Sequence, residues 1–476
     1  MSKELIEWRE KHLNSISPSF CAAKWYNASI HLGHGYTGSC HLPLPHPIDI
    51  KEIKTDPSAI HNTKHKKQMR KMMLEGVKPA ECSYCWKIEG IGRDNVSDRI
   101  YKSQIYNTDD IQKLKDSQWD APVSLKTLEI SFDRQCNFAC SYCNAAYSTN
   151  WAKDLEEHGA YQNFKAPGGG GGAYQGDGSW AEITGKKMDS NPYVEAFFKW
   201  WPELSQTLEE LRITGGEATV SQNFWRFTEI MKNFDAKNMR FAVNSNLGCS
   251  EKALEKLIEL THTLPIKEFD LYTSNESYGT HAEYIRDGLK YDLWKQNLTR
   301  FLEESNVRSV IIMMTINSLC LFSITEFMDD MIELKKKYAV NKPILDLNIL
   351  RWPGFMSPLA LPDDTKKKLH TKLLDWFNMY RNSDLLTSGE KAQIQRLLDY
   401  IEVVDKGHII VTDNKNDLWH DFKSFYTQYD SRRSKNFLET FPELNEWYTS
   451  IKLDESFTKM ELHSKGITNY ESGVYE

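Results

Sequence analysis

The chain has 476 residues, 40% hydrophobic and 26% charged, with a formal net charge of −7. This length suggests two or three domains with ordinary globular cores. An acidic balance argues against a protein that grips nucleic acid by bulk electrostatics, and no run of about 18 apolar residues exists to span a membrane.

The N-terminus, Met1-Ser2-Lys3-Glu4, lacks an apolar stretch of signal-peptide type, so a cytoplasmic location is expected, where thiols stay reduced. Nine cysteines in that setting read as metal ligands or redox groups rather than disulfides. Residues 1–120 carry four of them, Cys21, Cys40, Cys82 and Cys85, with little strand periodicity. Gly35 stands between the first two and would allow a hairpin turn. The spacing Cys82-Ser83-Tyr84-Cys85 suits zinc as well as an iron–sulfur cluster. The basic run Lys64, His65, Lys66, Lys67, Arg70 and Lys71 reads as a solvated helix face.

From residue 121 to about 360, strand-like and helix-like stretches alternate. Strands are expected at Ser124–Phe132, Leu208–Thr214, Arg240–Asn244, Glu268–Tyr272, Ser309–Thr315 and Ile344–Leu350. Helices are expected at Asn223–Asn233, Glu251–Leu260, Asp292–Glu304 and Ile324–Tyr338. Repeated strand–helix units imply an α/β fold with a parallel sheet, open or curled, whose chemistry sits at the C-terminal strand ends.

Directly after the first of these strands comes Cys136-Asn137-Phe138-Ala139-Cys140-Ser141-Tyr142-Cys143. A structural zinc site normally takes four protein ligands. A cubane held by three thiolates keeps one iron open for a chelating substrate. Gly168 to Gly172 reads as a mobile loop, since no Gly-Lys-Ser/Thr follows to make a phosphate loop. Trp200-Trp201 reads as helix core. Gly215-Gly216-Glu217 ends the second strand, Ser245-Asn246 the third, and Asn275-Glu276 follows the fourth. Cys249 and Cys320 read as small buried hydrophobes, and Asn317 follows a strand near the same face. The region 361–476 has no cysteine and is helical in pattern at Asp363–Asn382 and Lys391–Val404. It either packs over the sheet opening or forms a partner surface.

The C-x₃-C-x₂-C loop with Tyr142 before its last cysteine resembles the signature of the radical S-adenosylmethionine (SAM) superfamily. The resemblance implies a partial (β/α)₆ barrel over 121–360, with a [4Fe–4S] cluster on Cys136, Cys140 and Cys143. It places Tyr142 beside the adenine of SAM. Gly215, Gly216 and Glu217 resemble the family's Gly-Gly-Glu motif at the SAM amino group, and Ser245 and Asn246 its polar pair near the ribose. Arg286 stands where relatives place an arginine on the SAM carboxylate. Phe20-Cys21-Ala22-Ala23-Lys24-Trp25, Cys40, Cys82 and Cys85 resemble the auxiliary-cluster motif of SPASM and twitch domains, here before the barrel rather than after it. That implies a small N-terminal domain, residues 1–120, with a second [4Fe–4S] cluster; zinc is the alternative.

Family membership implies reductive cleavage of SAM to a 5′-deoxyadenosyl radical, which takes hydrogen from a substrate. It also implies a reduced flavodoxin or ferredoxin-type electron donor. A peptide or protein side chain is the expected substrate class; a sugar, nucleotide or other small molecule is the alternative. Two readings of another kind are a non-catalytic iron–sulfur or zinc protein for binding or electron transfer, and a zinc-stabilised nucleic-acid module. The intact Gly-Gly-Glu sequence speaks against the first of these and the acidic charge against the second.

Overall fold

The computed structural model describes residues 2–92, 95–167, 169–176, 191–339, 342–402 and 414–453. Its strands, in chain order, are β1 (Asn27–His31), β2 (Tyr36–Gly38), β3 (His46–Pro47), β4 (Thr127–Ser131), β5 (Ala139–Cys140), β6 (Glu210–Thr214), β7 (Ala236–Ser245), β8 (Ile266–Ser274), β9 (Arg286–Asp287), β10 (Ser309–Ile316) and β11 (Ile344–Ile349). Nine of them form one sheet in the order β11-β10-β8-β7-β6-β4-β1-β2-β3. From β11 to β1 every neighbour pair is parallel. The β1-β2-β3 end is antiparallel. The fold is therefore mixed α/β with a large parallel sheet.

All six expected strands are present, and the expected helices lie between them: Gln222–Met231, Glu251–Thr263, Tyr291–Glu304 and Ile324–Lys337. Each helix buries an apolar stripe at three- and four-residue spacing, for example Leu254, Leu257, Ile258 and Thr261. The strands bury one face against these helices through Leu128, Ile130, Leu211, Ile213, Phe241, Val243, Leu271, Val310, Ile312, Leu345 and Leu347.

The opposite face departs from the usual parallel sheet, which is apolar on both sides. Glu129, Arg212, Asn244, Tyr272, Ser274, Met313 and Asp346 alternate with the buried set and are only half-buried. Arg212 on β6 and Met313 on β10 stand three strands apart, about 14 Å in a flat sheet. Their Nη2 and Sδ atoms nevertheless approach to 3.8 Å. The sheet therefore curls, and its polar face looks into the hollow.

The N-terminal region belongs to this sheet through β1, which pairs with β4 from Asn27↔Thr127 to His31↔Ser131. It also has a small core of its own, including Leu13, Phe20, Trp25, Met73, Ile100 and Ile111. Gly35, at φ +68°, makes the expected turn between β1 and β2.

Two sequence expectations are corrected here. The helix Lys64–Leu74 is not a uniformly solvated basic face: Lys66 is 1% exposed and Arg70 0%, because both point into the N-terminal lobe. Nor are the described glycines of the Gly-rich segment a loose loop. A Cβ on Gly171 would lie 2.2 Å from Phe164 Cγ, and one on Gly170 2.7 Å from Pro353. The Gly354 N–H donates to the Gly169 carbonyl at 2.7 Å, so glycine here serves close packing. Gly168 lies outside the described residues.

Among the C-terminal helices, Lys415–Arg433 packs against this segment and the cysteine loop. Asp421 accepts from the Lys165 and Ala166 amides, and the Tyr429 hydroxyl donates to the Tyr284 carbonyl at 3.1 Å. No helix among the described residues is long and apolar enough to cross a membrane.

Candidate functional site

The Cys136–Cys143 loop leaves the C-terminal end of β4 and is fixed from several sides. Its β5 segment pairs antiparallel with β9, setting Cys140 opposite Arg286. The Ser141 amide donates to the Ile285 carbonyl at 2.7 Å. Trp151 Nε1 donates to the Cys140 carbonyl at 2.9 Å, and the Cys136 amide to Thr149 Oγ1 at 3.2 Å. Burial pushes the Cys140 thiol up to about 11 and Cys143 to about 12.

Gly215 and Gly216 bring the end of β6 onto this loop. Gly215 has φ +117°, and a Cβ there would lie 2.5 Å from Ser131 Oγ. A Cβ on Gly216 would lie 2.0 Å from the Gln135 carbonyl oxygen. Only glycine tolerates that approach. It lets the Glu217 amide donate to the Gln135 carbonyl at 2.6 Å, one residue before Cys136.

The Glu217 side chain is 2% exposed. Its Oε1 accepts from the Thr219 amide, the Thr219 hydroxyl and the Ser245 hydroxyl; Oε2 accepts from the Asn246 amide at 2.5 Å. Burial still raises its carboxyl above the ordinary range. Ser245 and Asn246 thus hold Glu217. Asn246 Nδ2 also donates to Asn137 Oδ1 in the cysteine loop at 2.8 Å.

From β8, Glu276 reaches the same place. Arg286 Nε and Nη2 donate to Glu276 Oε2 at 3.0 and 2.6 Å, and Tyr142 donates to Glu276 Oε1 at 3.0 Å. The guanidinium lies 5.4 Å from the Tyr142 ring centre, with Nη1 3.8 Å from Cys140 Sγ. Burial opposes the Arg286 charge, but Glu276 outweighs it and the group is held charged. Arg286 is therefore committed mainly to Glu276, with Nη1 left on the side of the cysteine loop.

Asn275 is fully buried, and its Nδ2 is without a hydrogen-bond partner among the described residues. Such an orphaned donor at a strand end fits a site that a polar ligand completes. Asn317 instead caps its own turn, accepting from the Leu319 and Cys320 amides at 3.0 Å. Cys249 and Cys320 are buried, as expected of small hydrophobes.

The four N-terminal cysteines converge although they span 65 positions, from Cys21 to Cys85. Cys21, Cys40, Cys82 and Cys85 all line one small cavity. Among the described residues no three His, Cys, Asp or Glu side chains are placed to hold a single metal ion. Four thiols are a donor set that suits a cubane or a tetrahedral zinc.

Two groups were not legible in the sequence. Arg212 stacks on Tyr272, 3.9 Å from its ring centre, and donates to Asn244 Oδ1 at 2.9 Å in the hollow of the sheet. The available signal was polar residues at alternate positions of parallel strands. Lys24 lines the N-terminal cavity, with Lys66 and Arg70 buried behind it, and no periodic signal points to them.

No family model matches the chain, and no curated protein matches it. Among solved structures it is similar to Streptococcus suis SuiB bound to S-adenosylmethionine, at 13% identity and TM-score 0.35, covering 68% of this chain and 61% of that one. For SuiB alone the values are 13%, 0.33, 68% and 64%. For SuiB bound to precursor peptide SuiA they are 12%, 0.33, 75% and 70%. The chain thus spans 61% and 64% of the first two structures.

Proposed function

We propose that this chain is a radical SAM enzyme built on a partial (β/α)₆ barrel. The observation that carries the proposal is the convergence of the three-cysteine loop after β4 with Gly215-Gly216-Glu217 after β6, Ser245-Asn246 after β7 and Asn275-Glu276 after β8. Four successive parallel strands deliver motif residues to one end of the sheet, where an α/β sheet places its chemistry.

Cys136, Cys140 and Cys143 would hold a [4Fe–4S] cluster, and Cys21, Cys40, Cys82 and Cys85 a second one. With cluster and SAM bound, these groups supply reductive cleavage to a 5′-deoxyadenosyl radical that abstracts hydrogen from the substrate. The chain's own residues do the positioning. Glu217 Oε2, with a single donor, is placed to receive the SAM ammonium. Ser245 and Asn246 fix that carboxylate. Tyr142, clamped by Glu276, presents its ring beside the loop, and Arg286 keeps a positive charge next to Cys140. The helix Lys415–Arg433 braces one side of the loop through Tyr426, near Ser141, and Tyr429, which donates to the Ala139 carbonyl.

The substrate class we propose is a peptide or protein side chain, taken into the polar hollow that Arg212 and Tyr272 line. A reduced flavodoxin or ferredoxin-type donor and a cytoplasmic location belong to the same proposal. The test is anaerobic reconstitution followed by iron, sulfide and zinc analysis and a SAM-cleavage assay. About eight irons per chain are expected, from two cubanes. Cys140→Ala should abolish 5′-deoxyadenosine production while keeping N-terminal iron. Undiminished production in that variant would sink the proposal.

A further inference from the structure

The helix Lys64–Leu74 turns Lys66 and Arg70, four residues apart, onto one buried face. Lys66 Nζ donates to Thr37 Oγ1 at 2.7 Å and to His61 Nδ1 at 3.2 Å. Arg70 Nε donates to the Lys24 carbonyl at 3.2 Å and Nη1 to Asn62 Oδ1 at 3.0 Å. All four acceptors are neutral. His61 bridges the two bases: its Nε2 lies 3.0 Å from the Trp25 carbonyl and 2.9 Å from Arg70 Nη2, and its Nδ1 3.2 Å from Lys66 Nζ. A third cation, Lys24, is 3% exposed, lines the four-cysteine cavity and pairs with Glu81. Glu81 is shared with His65, 2.6 Å away.

Among the described residues, Lys66 and Arg70 have no carboxylate partner, whereas Lys24 pairs with Glu81, and Arg99, which lines the cavity beside Asp98 and Lys102, pairs with Glu89; burial accordingly pushes the Lys66 ammonium well below its ordinary value and Arg70 down to about 9. Buried charge without a counter-charge is strongly unfavourable. Lys24 lies within electrostatic reach of Cys21 and Cys82, and Lys66 of Cys40. Met73, from the same helix as Lys66 and Arg70, forms part of the cavity wall.

We propose that Lys24, Lys66 and Arg70 are the built-in counter-charge of the second iron–sulfur centre and raise its reduction potential. This rests on the reading that Cys21, Cys40, Cys82 and Cys85 hold such a centre. A cubane ligated by four thiolates is an anion, and one added electron makes it more negative. Fixed cations in a low-dielectric lobe stabilise that reduced form more than the oxidised form. A centre so placed is poised to accept an electron rather than to deliver one. Lys66 and Arg70 act from behind the ligands and are positioning residues.

The test uses full-length protein in which Cys136, Cys140 and Cys143 are replaced by alanine, so that the remaining iron reports the N-terminal site. Lys66→Met, Lys66→Gln and Lys66→Arg are compared with that parent by iron and zinc content and by a redox titration followed by electron paramagnetic resonance. About four irons are expected in the parent. The midpoint potential should fall in Lys66→Met and Lys66→Gln and stay near the parent in Lys66→Arg. Loss of iron from both neutral variants but not from Lys66→Arg also supports the counter-charge role. An unmoved potential with iron retained overturns this proposal alone. Zinc, or no metal, in the parent overturns the second-cluster reading and this proposal with it.

Discussion

Gly216→Ala tests whether the junction between β6 and the cysteine loop is the structural centre of the site. The added Cβ would lie 2.0 Å from the Gln135 carbonyl oxygen, 2.6 Å from its carbon and 2.8 Å from the Arg134 carbon. Ordinary contacts begin near 3.4 Å, and all three obstacles are backbone, so the loop must retreat by more than an ångström. Overpacking of this kind costs about 1–3 kcal/mol. The retreat also breaks the 2.6 Å hydrogen bond from the Glu217 amide to Gln135. Leaving that buried pair unmade adds about 1–3 kcal/mol. The total is about 2–6 kcal/mol, concentrated one residue before Cys136. The assay is thermal unfolding with iron analysis after anaerobic reconstitution. The expected outcome is a midpoint lowered by several degrees and loss of the iron held by the loop. Gly90→Ala is the control: nothing lies within 4 Å of a Cβ there, in the helix Ser83–Ile91, so helix propensity should leave stability equal or about 1 kcal/mol higher. A Gly216→Ala protein with the parent's midpoint and full iron content would refute the close-approach argument.

Glu276→Gln should destabilise the protein by about 3–5 kcal/mol, because Glu276 is 0% and Arg286 4% exposed and the arginine would lose its charge partner. In urea unfolding, adding Arg286→Met should recover part of that loss; an additive double variant would deny the pairing. Glu89 predicts a pH effect in the N-terminal lobe. Burial pushes its carboxyl up, but hydrogen bonds from Arg99 and Ser97 and the Arg99 charge outweigh burial and hold it below its ordinary value near 4.5. A folded value below the unfolded one means that the contribution is complete above about pH 4.5 and is lost as pH falls through the folded value. Glu89→Gln should therefore lower stability at neutral pH and flatten the acid limb of a stability–pH profile. Parallel profiles for the two proteins would show that Glu89 carries no such linkage.

The parallel sheet was legible because each strand is short, β-branched or aromatic and followed by a helix with a three- to four-residue apolar spacing. The cysteine loop was legible because its three cysteines lie within eight residues and beside a strand end. Local patterns of this kind need no knowledge of distant chain. The helix Lys64–Leu74 shows where they fail. Its basic run has the composition of a solvated face, yet burial is decided by what packs on it, here Trp25, Asn62 and the wall of the cysteine cavity. Arg286 is a second case: its place after β8 was readable, but not its commitment to Glu276 ten residues earlier. The Gly169–Gly172 turn is a third, since glycine runs read alike whether they are loose or pressed against Phe164 and Pro353.

By itself, the sequence determined the element order, the strand ends that carry the motif residues and the two groups of cysteines, because hydrophobic period and ligand spacing are local properties of the chain. Only the tertiary structure decided that β1 pairs with β4, that the sheet curls until Arg212 meets Met313, that Cys21, Cys40, Cys82 and Cys85 share one cavity with Lys24, and that Lys66 and Arg70 are buried behind it. Those facts depend on contacts between residues far apart in the chain, where burial and charge are set by the neighbours that folding supplies.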